Sequence, residues 1–400
     1  MRKTKKSLIM FHIITILQAV SNNLAHPVTP AFINNLELRD SMFGTAYASM
    51  ALGIFLFSLF WGELSSRIKK STILLIALLG YAFAQYLFMT STTEVSVITS
   101  RFLAGIFTGG FQVSQLNYLV SQSKAEDRGY QLTLSSIFIA AAATIGYFIG
   151  GFVGDVSIFL AFQIQIIMCI VVGLSYFFFL KQTETIEVRE SFEIKNLNPF
   201  KSFLNMKGLI SSVIVLLMIS VFMSYLAITS FDQTFNYYVR DVFNFPPSYN
   251  GVLKMGTGLV GIIANFTISM YLIKKTNVKR SYTVLMVVMA LSGLIVVLVD
   301  QLWIFIVFAF IFLAIDSMSK PLQQTIVSGM SSDYHESHIL MGLYNTMKSL
   351  GLIIGALIAG FLYEWIKIGP FVLAILAILM AALFMALVYK QTKNERKVRS

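Results

Sequence analysis

From residue 8 to residue 390 the chain alternates long apolar runs with short polar breaks. An α-helix needs about 20 apolar residues to cross roughly 30 Å of hydrocarbon. By that measure the pattern predicts twelve spans, at 8–33, 42–62, 72–91, 96–121, 131–153, 158–180, 209–239, 250–273, 281–299, 302–329, 339–363 and 369–390. The first follows the basic stretch MRKTKK and has the look of a signal peptide, but the eleven spans behind it argue for an uncleaved helix.

The breaks are short, with one exception. Residues 181–208 form a polar, mixed-charge stretch containing Asn198-Pro199, and it parts six spans from six. The expected organisation is an N-terminal six-helix bundle (1–180), a cytoplasmic linker (181–208) and a C-terminal six-helix bundle (209–400). The halves echo each other. FSLFWGELSSRIKKSTILLIALLG, residues 57–80, and FTISMYLIKKTNVKRSYTVLMVVMALSG, residues 266–293, each read as an apolar helix, a basic loop and another apolar helix. Gly146-x-x-x-Gly150 is likewise matched by Gly351-x-x-x-Gly355. These echoes predict an all-α polytopic membrane protein whose two bundles are related by a pseudo-twofold axis. In transporters built on such parallel repeats the site lies near the midplane between the halves.

Composition supports the class. With 56 % hydrophobic and 12 % charged residues, the chain is not a soluble domain. The single cysteine, Cys169, excludes an internal disulfide framework. A net charge of +11 suggests nucleic acid only until the charges are placed. With the N-terminus inside, 23 of the 30 Lys and Arg fall in cytoplasmic segments and three, Arg39, Arg240 and Lys367, fall outside. That asymmetry is the positive-inside pattern, so both termini are expected in the cytoplasm. The basic residues then concern topology and anionic lipid headgroups rather than nucleic acid.

Ionisable residues inside spans are costly and usually mark ion or substrate routes. Two acids lie well inside spans, Asp232 in the stretch ITSFDQTFNYY and Asp316. A carboxylate is the simplest proton carrier, since burial favours its neutral form and a nearby cation its charged form. Lys320 follows Asp316 by one helical turn, so the two can be a silent ion pair or a switch broken by protonation. Pro321 interrupts the same helix. Arg101 in SRFLAGIFTGG is a candidate for coupling or gating, and its neighbours Gly105 and Gly109 have the spacing of close helix packing. The same packing role is expected for Gly146, Gly150, Gly151, Gly351 and Gly355.

Polar residues gather in the first span (Gln18, Asn22, Asn23, His26), the fourth (Gln112, Gln115, Asn117) and the tenth (Gln323, Gln324). With Phe231, Phe235 and Tyr238 they are candidates to line an amphiphilic pocket, or else bridges between helices. Trp61, Trp303 and Trp365 stand near span ends, as interfacial anchors do. Lys254 and Lys348 read as residues near helix ends that snorkel to water. There is no G-x-x-x-x-G-K-[ST] loop, no metal-ligand spacing and no nucleophile–base pair, so neither ATP, a metal nor an enzymatic role is expected.

These residues resemble the major facilitator superfamily over essentially the whole chain. That family's loop after the second helix reads G-x-L-A-D-R-x-G-R-K. Here Gly62, Leu64 and Arg67 match, while Ser66 replaces the Asp and Lys69 the Gly. The resemblance makes Gly62, Glu63, Arg67, Lys69 and Lys70 a gating loop, with Glu63 a candidate replacement for the missing Asp. Arg101-x-x-x-Gly105 resembles the family's fourth-helix motif. Gly146-Tyr-Phe-Ile-Gly150-Gly151 resembles the end of the antiporter motif, with Tyr147 where Pro is usual. Phe231-Asp232 through NFPPSYNG resembles the seventh helix of drug:proton antiporters of the NorA type. In those proteins acids in the positions of Asp232 and, one residue out of register, Asp316 take part in proton coupling.

The function these readings imply is proton-coupled export of amphiphilic or drug-like molecules across the cell membrane. The proton gradient would supply the energy with no cofactor, in a protein expected to act as a monomer among lipids. Two alternatives stay open. Four basic residues and two acids within spans suit an anionic or zwitterionic metabolite, such as a siderophore or lipid. A non-transporting receptor or scaffold on the same fold would have no use for Asp232.

Overall fold

A computed structural model of the chain describes residues 2–124, 126–180, 198, 211–330 and 334–399. The linker expected at 181–208 therefore lies, Asn198 apart, outside the described residues. Fourteen α-helices and one π-turn make up the described structure, with no strand among the described residues. The first span is α1 (Arg2–Leu24) and α2 (Thr29–Asn35), parted at His26-Pro27 and restarted with Pro30 in the first turn of α2. Proline fits there because a first-turn N–H has no helical partner to lose. Five single helices follow: α3 (Met42–Arg67), α4 (Lys70–Met89), α5 (Glu94–Gln122), α6 (Arg128–Val156) and α7 (Ile158–Phe179). After the linker come α8 (Ser212–Asp241) and α9 (Pro247–Ala264), then a π-turn at Asn265–Ser269 and α10 (Met270–Lys275) completing the same span. The last four are α11 (Val278–Leu298), α12 (Leu302–Ser328), α13 (Tyr334–Trp365) and α14 (Gly369–Arg399).

Among the described residues, eleven segments are both long and apolar enough to cross a membrane. The twelfth expected span, α5, is long enough, since 29 residues rise about 43 Å. It fails on apolarity because Arg101, Gln112, Gln115 and Asn117 dilute it. Several of its polar groups are buried against other helices: Arg101 and Ser114 are almost fully covered. The exterior is the opposite. Phe178, Val156 and Leu298 are each more than two-thirds exposed, as a surface solvated by lipid tails allows. Trp303 and Trp365 are exposed, but Trp61 is not an interfacial anchor. It is buried, and its Nε1 donates to the Ile106 carbonyl at 2.7 Å.

The chain forms two compact units. The first comprises Met1–Leu38, Ser49–Asn198 and Val239–Gly258, and the second Arg39–Ala48, Pro199–Tyr238 and Leu259–Ser400. Within each, glycines let backbones touch. In the first, a Cβ on Gly146 or Gly150 would collide with the carbonyl oxygens of Val20 and Leu24 on α1, and one on Gly105 with that of Met50 on α3. Gly109 is looser, since an added Cβ would lie 3.4 Å from Ser58 Oγ, and one on Gly151 would lie 2.8 Å from the Pro247 carbonyl oxygen. In the second, Gly351 and Gly355 meet the carbonyl oxygens of Phe222 and Leu226 on α8, at 2.6 and 2.5 Å from an added Cβ. So α6 sits on α1 as α13 sits on α8, each by the same Gly-x-x-x-Gly device. The repeat seen in the sequence is a repeat of contacts.

Candidate functional site

In the first unit two of the predicted polar residues, Gln18 and Gln115, bond to each other, and the rest bond elsewhere or are exposed. Gln115 Nε2 donates to Gln18 Oε1 and, at 2.7 Å, to the Tyr176 hydroxyl, which donates in turn to Gln18 Oε1 at 3.0 Å. Asn23 Nδ2 donates to its own helix at the Ala19 carbonyl, 2.7 Å away. Cys169 Sγ lies 3.8 Å from Asn22 Oδ1, and Gln112 is exposed. Arg101 Nη1 and Nη2 donate to Gln85 Oε1 (3.4 Å) and Thr29 Oγ1 (3.2 Å), and its guanidinium lies 3.5 Å from the Phe88 ring centroid. Neutral groups and a π face thus compensate this buried cation. At the end of α3, Arg67 pairs with Glu63 at 2.6 Å, one helical turn apart. Lys69 and Lys70 stand at the start of α4.

The second unit holds a different environment. A cavity of about 410 Å³ opens among α8, α12, α13 and the first turns of α3. From α8, Tyr225, Ile228, Thr229 and Asp232 line it, at the i, i+3, i+4, i+7 spacing of one helix face. From α12 come Leu313, Asp316, Lys320 and Gln324, again a single stripe. Lys348 and Leu352 face it from α13, and Tyr47 from α3. Lys320 Nζ lies 2.6 Å from Asp316 Oδ2, with the lysine side chain 45 % exposed and the aspartate 12 %. Asp232 and Lys348 are near enough for their charges to act on Asp316 as well. The cavity therefore carries two acids and two bases in a mixed lining, with apolar contact from Ile228, Leu313 and Leu352.

Four sequence candidates meet there: Asp232, Asp316, Lys320 and Gln324. Others proposed for the pocket lie elsewhere. Phe231 and Phe235 are fully buried on another face of α8, where Phe231 stacks on Phe312 with centroids 3.8 Å apart. Phe235 and Tyr238 pack against Phe305. Gln323, one residue before Gln324, turns inward and donates to Ser224 Oγ and the Tyr282 hydroxyl, both at 2.9 Å. Lys348 is a correction, because it borders the cavity rather than snorkelling to water; the ring of Tyr225 lies 5.6 Å from its Nζ. Tyr47, Tyr225 and Gln233 also escaped the sequence reading. The i, i+4 pair Lys348–Leu352 was the available signal for Lys348.

The π-turn abuts the same stretch of α12. Asn265 Nδ2 donates to Ser317 Oγ at 2.8 Å, and Ser269 Oγ to the Met318 carbonyl at 3.2 Å. Inserted turns of this kind recur at functional sites. The residues bonded here directly follow Asp316.

The sequence model of the Major Facilitator Superfamily matches residues 11–328 and 217–400. The chain belongs to the Major Facilitator Superfamily. Proteins of that superfamily are membrane transporters of small molecules, not enzymes, so this is a multi-pass membrane transporter. Among its superfamily relatives is the "Multidrug resistance protein 2" of Bacillus subtilis, 23 % identical over 372 residues, which covers 92 % of this chain and 91 % of the relative. Another is the "Quinolone resistance protein NorA" of Staphylococcus aureus, 23 % identical over 379 residues and 94 % of each chain. In fold the chain is similar to a bacterial homolog of the human lysosomal transporter Spinster, inward-facing and occupied. The TM-score is 0.77 at 11 % identity, over 96 % of each chain. The nucleoside transporter NupG gives 0.75 at 12 % identity, over 96 % and 99 %.

Proposed function

We propose that this superfamily member is a proton-coupled exporter of amphiphilic small molecules, with Asp232 and Asp316 as the proton sites. One observation carries the reading: two carboxylates on separate helices, α8 and α12, border one cavity whose lining mixes polar groups with Ile228, Leu313 and Leu352. The drug-resistance relatives support the same direction of transport. Protonating either acid raises the cavity's charge by one. Proton and cargo then compete through the field of one small volume. The reading invokes a monomeric protein and no cofactor beyond the gradient.

The test uses inverted vesicles holding an imposed pH gradient, acid inside. Adding a cargo collapses part of the gradient with the wild-type protein and not with empty vesicles. Gradients unmoved by a broad panel of amphiphiles would remove the proton-coupled reading.

Both termini are placed in the cytoplasm by the basic-residue asymmetry. Single cysteines at Lys279 and Arg240, in a Cys169→Ser background, should label from opposite sides, with 279 reached from the cytoplasm. Labelling of both from one side would overturn the orientation.

A further inference from the structure

We infer that the cavity selects cargo carrying an anionic group, and that Lys348 is the residue that reads it; the inference rests on the transport reading above. Of the two lysines at the cavity, Lys320 is already committed to Asp316 at 2.6 Å. Lys348 is not. Among the described residues no carboxylate comes within ion-pair distance of it, and its ammonium faces the ring of Tyr225.

The surroundings hold in place the ring that this ammonium faces. The Tyr225 hydroxyl bonds the Tyr344 hydroxyl at 2.7 Å, joining α8 to α13 one turn before Lys348. Thr229 Oγ1 in turn donates to the Tyr225 carbonyl at 2.9 Å. The result is a cation beside a fixed aromatic face. Ile228, Leu313 and Leu352 offer apolar contact for the body of a cargo. The volume of about 410 Å³ suits a drug-sized molecule.

Charge decides between cargo classes. A lone monocation leaves the ammonium of Lys348 without an anionic partner and sets a second positive charge in the same cavity. A carboxylate or phosphate on the cargo instead completes the lysine with a charge-assisted hydrogen bond. A zwitterion satisfies both signs, its cationic end being drawn to the carboxylate side of the cavity. The titratable groups facing Lys348 here are Asp316, Asp232, Lys320, Tyr47 and Tyr225, and with both acids ionised the lining is neutral overall.

The test is equilibrium binding to the purified full-length protein in detergent, at one pH and with no gradient. Failure of proton coupling therefore leaves its outcome untouched. The probes are a rhodamine with a free carboxylate and its ethyl ester, which keeps the cationic ring system and loses the anion. Fluorescence anisotropy should show the acid bound more tightly than the ester. Lys348→Gln should weaken the acid by about tenfold, the scale of one charge-assisted hydrogen bond, and leave the ester unchanged or tighter. Lys348→Arg should keep the preference.

A second arm separates the sources of the anion. If a short-chain phosphatidate displaces the rhodamine acid where phosphatidylcholine of equal chain length does not, acidic lipid headgroups belong to the cargo. If neither displaces it, the cargo is a water-borne anion. Equal affinity of acid and ester for the wild-type protein overturns the proposal without recourse to any variant. So does a Lys348→Gln protein that stays monodisperse and weakens both probes alike.

Discussion

Asp232→Asn abolishes concentrative export while leaving a folded protein in the membrane. The asparagine copies the shape of a protonated carboxyl but cannot release a proton, so the site is held in one half of its cycle. Folding does not suffer, because a charge at the centre of a membrane helix costs roughly 2.5–3.5 kcal/mol on insertion scales and the substitution removes it. The hydrogen bond from Asn236 Nδ2 to the residue 232 carbonyl, 2.7 Å long, is a backbone contact that the change preserves. Asp232→Glu keeps a titratable group and should retain slower, still concentrative export. The measurement is accumulation in inverted vesicles under an imposed pH gradient at matched expression, where Asp232→Asn should fall to the level of empty vesicles while cargo binding persists. Accumulation at the wild-type level would strip Asp232 of its coupling role.

The Asp316–Lys320 pair yields the second large effect, and here the two partners are unequal. Lys320→Gln strands a carboxylate whose side chain is 12 % exposed. Asp316→Asn strands an ammonium whose side chain is 45 % exposed and reaches the cavity. Breaking a fully buried pair costs about 3–5 kcal/mol. The exposed lysine reduces that here, to about 1–2 kcal/mol for Lys320→Gln and less for Asp316→Asn. The double variant leaves no lone charge and should melt closer to the wild-type protein than Lys320→Gln does. Thermal unfolding in detergent orders the three. If Asp316 carries protons, the well-folded double variant still fails to couple transport to the pH gradient. Full pH-driven export by that variant would reduce the pair to structural support.

The fold was legible because a bilayer permits few answers. Each span must satisfy its own backbone, so a run of apolar residues is already a helix. Boundaries read from hydropathy fell within a few residues of most helix ends, as with 158–180 against Ile158–Phe179. Where hydropathy misled, the reason was which side of the helix is covered. Helix α5, predicted as the fourth span, falls short on apolarity because its polar residues, Gln115 and Arg101 among them, make protein contacts rather than lipid contacts. Trp61 resembled an anchor by position, yet it fills a gap between α3 and α5.

The candidate site was legible in its charges and obscure in its walls. Asp232, Asp316 and Lys320 stand out because few ionisable residues occupy spans. Phe231 and Phe235 were drawn to the same pocket by proximity in sequence. A helix turns about 100° per residue, so the residue next to a cavity-facing one looks elsewhere. Phe231 and Gln323 illustrate the point, each adjacent to a lining residue and each pointing away. Lys348 was hidden by the opposite error. A lysine can reach water from many depths, and only the packing of α13 beside α8 shows what it faces.

The π-turn in the eighth span has a consequence for phase. An extra residue in one turn advances everything after it by about 100° around the helix axis. The stripe that α9 presents to its neighbours is therefore not continued by α10 but restarted at a new angle. Asn265 and Ser269, at the two ends of the slip, both reach α12, at Ser317 and Met318. Beyond it Met270 and Tyr271 are turned outward. One span thus carries two out-of-step amphipathic faces, and the seam where they meet lies beside the residues that follow Asp316.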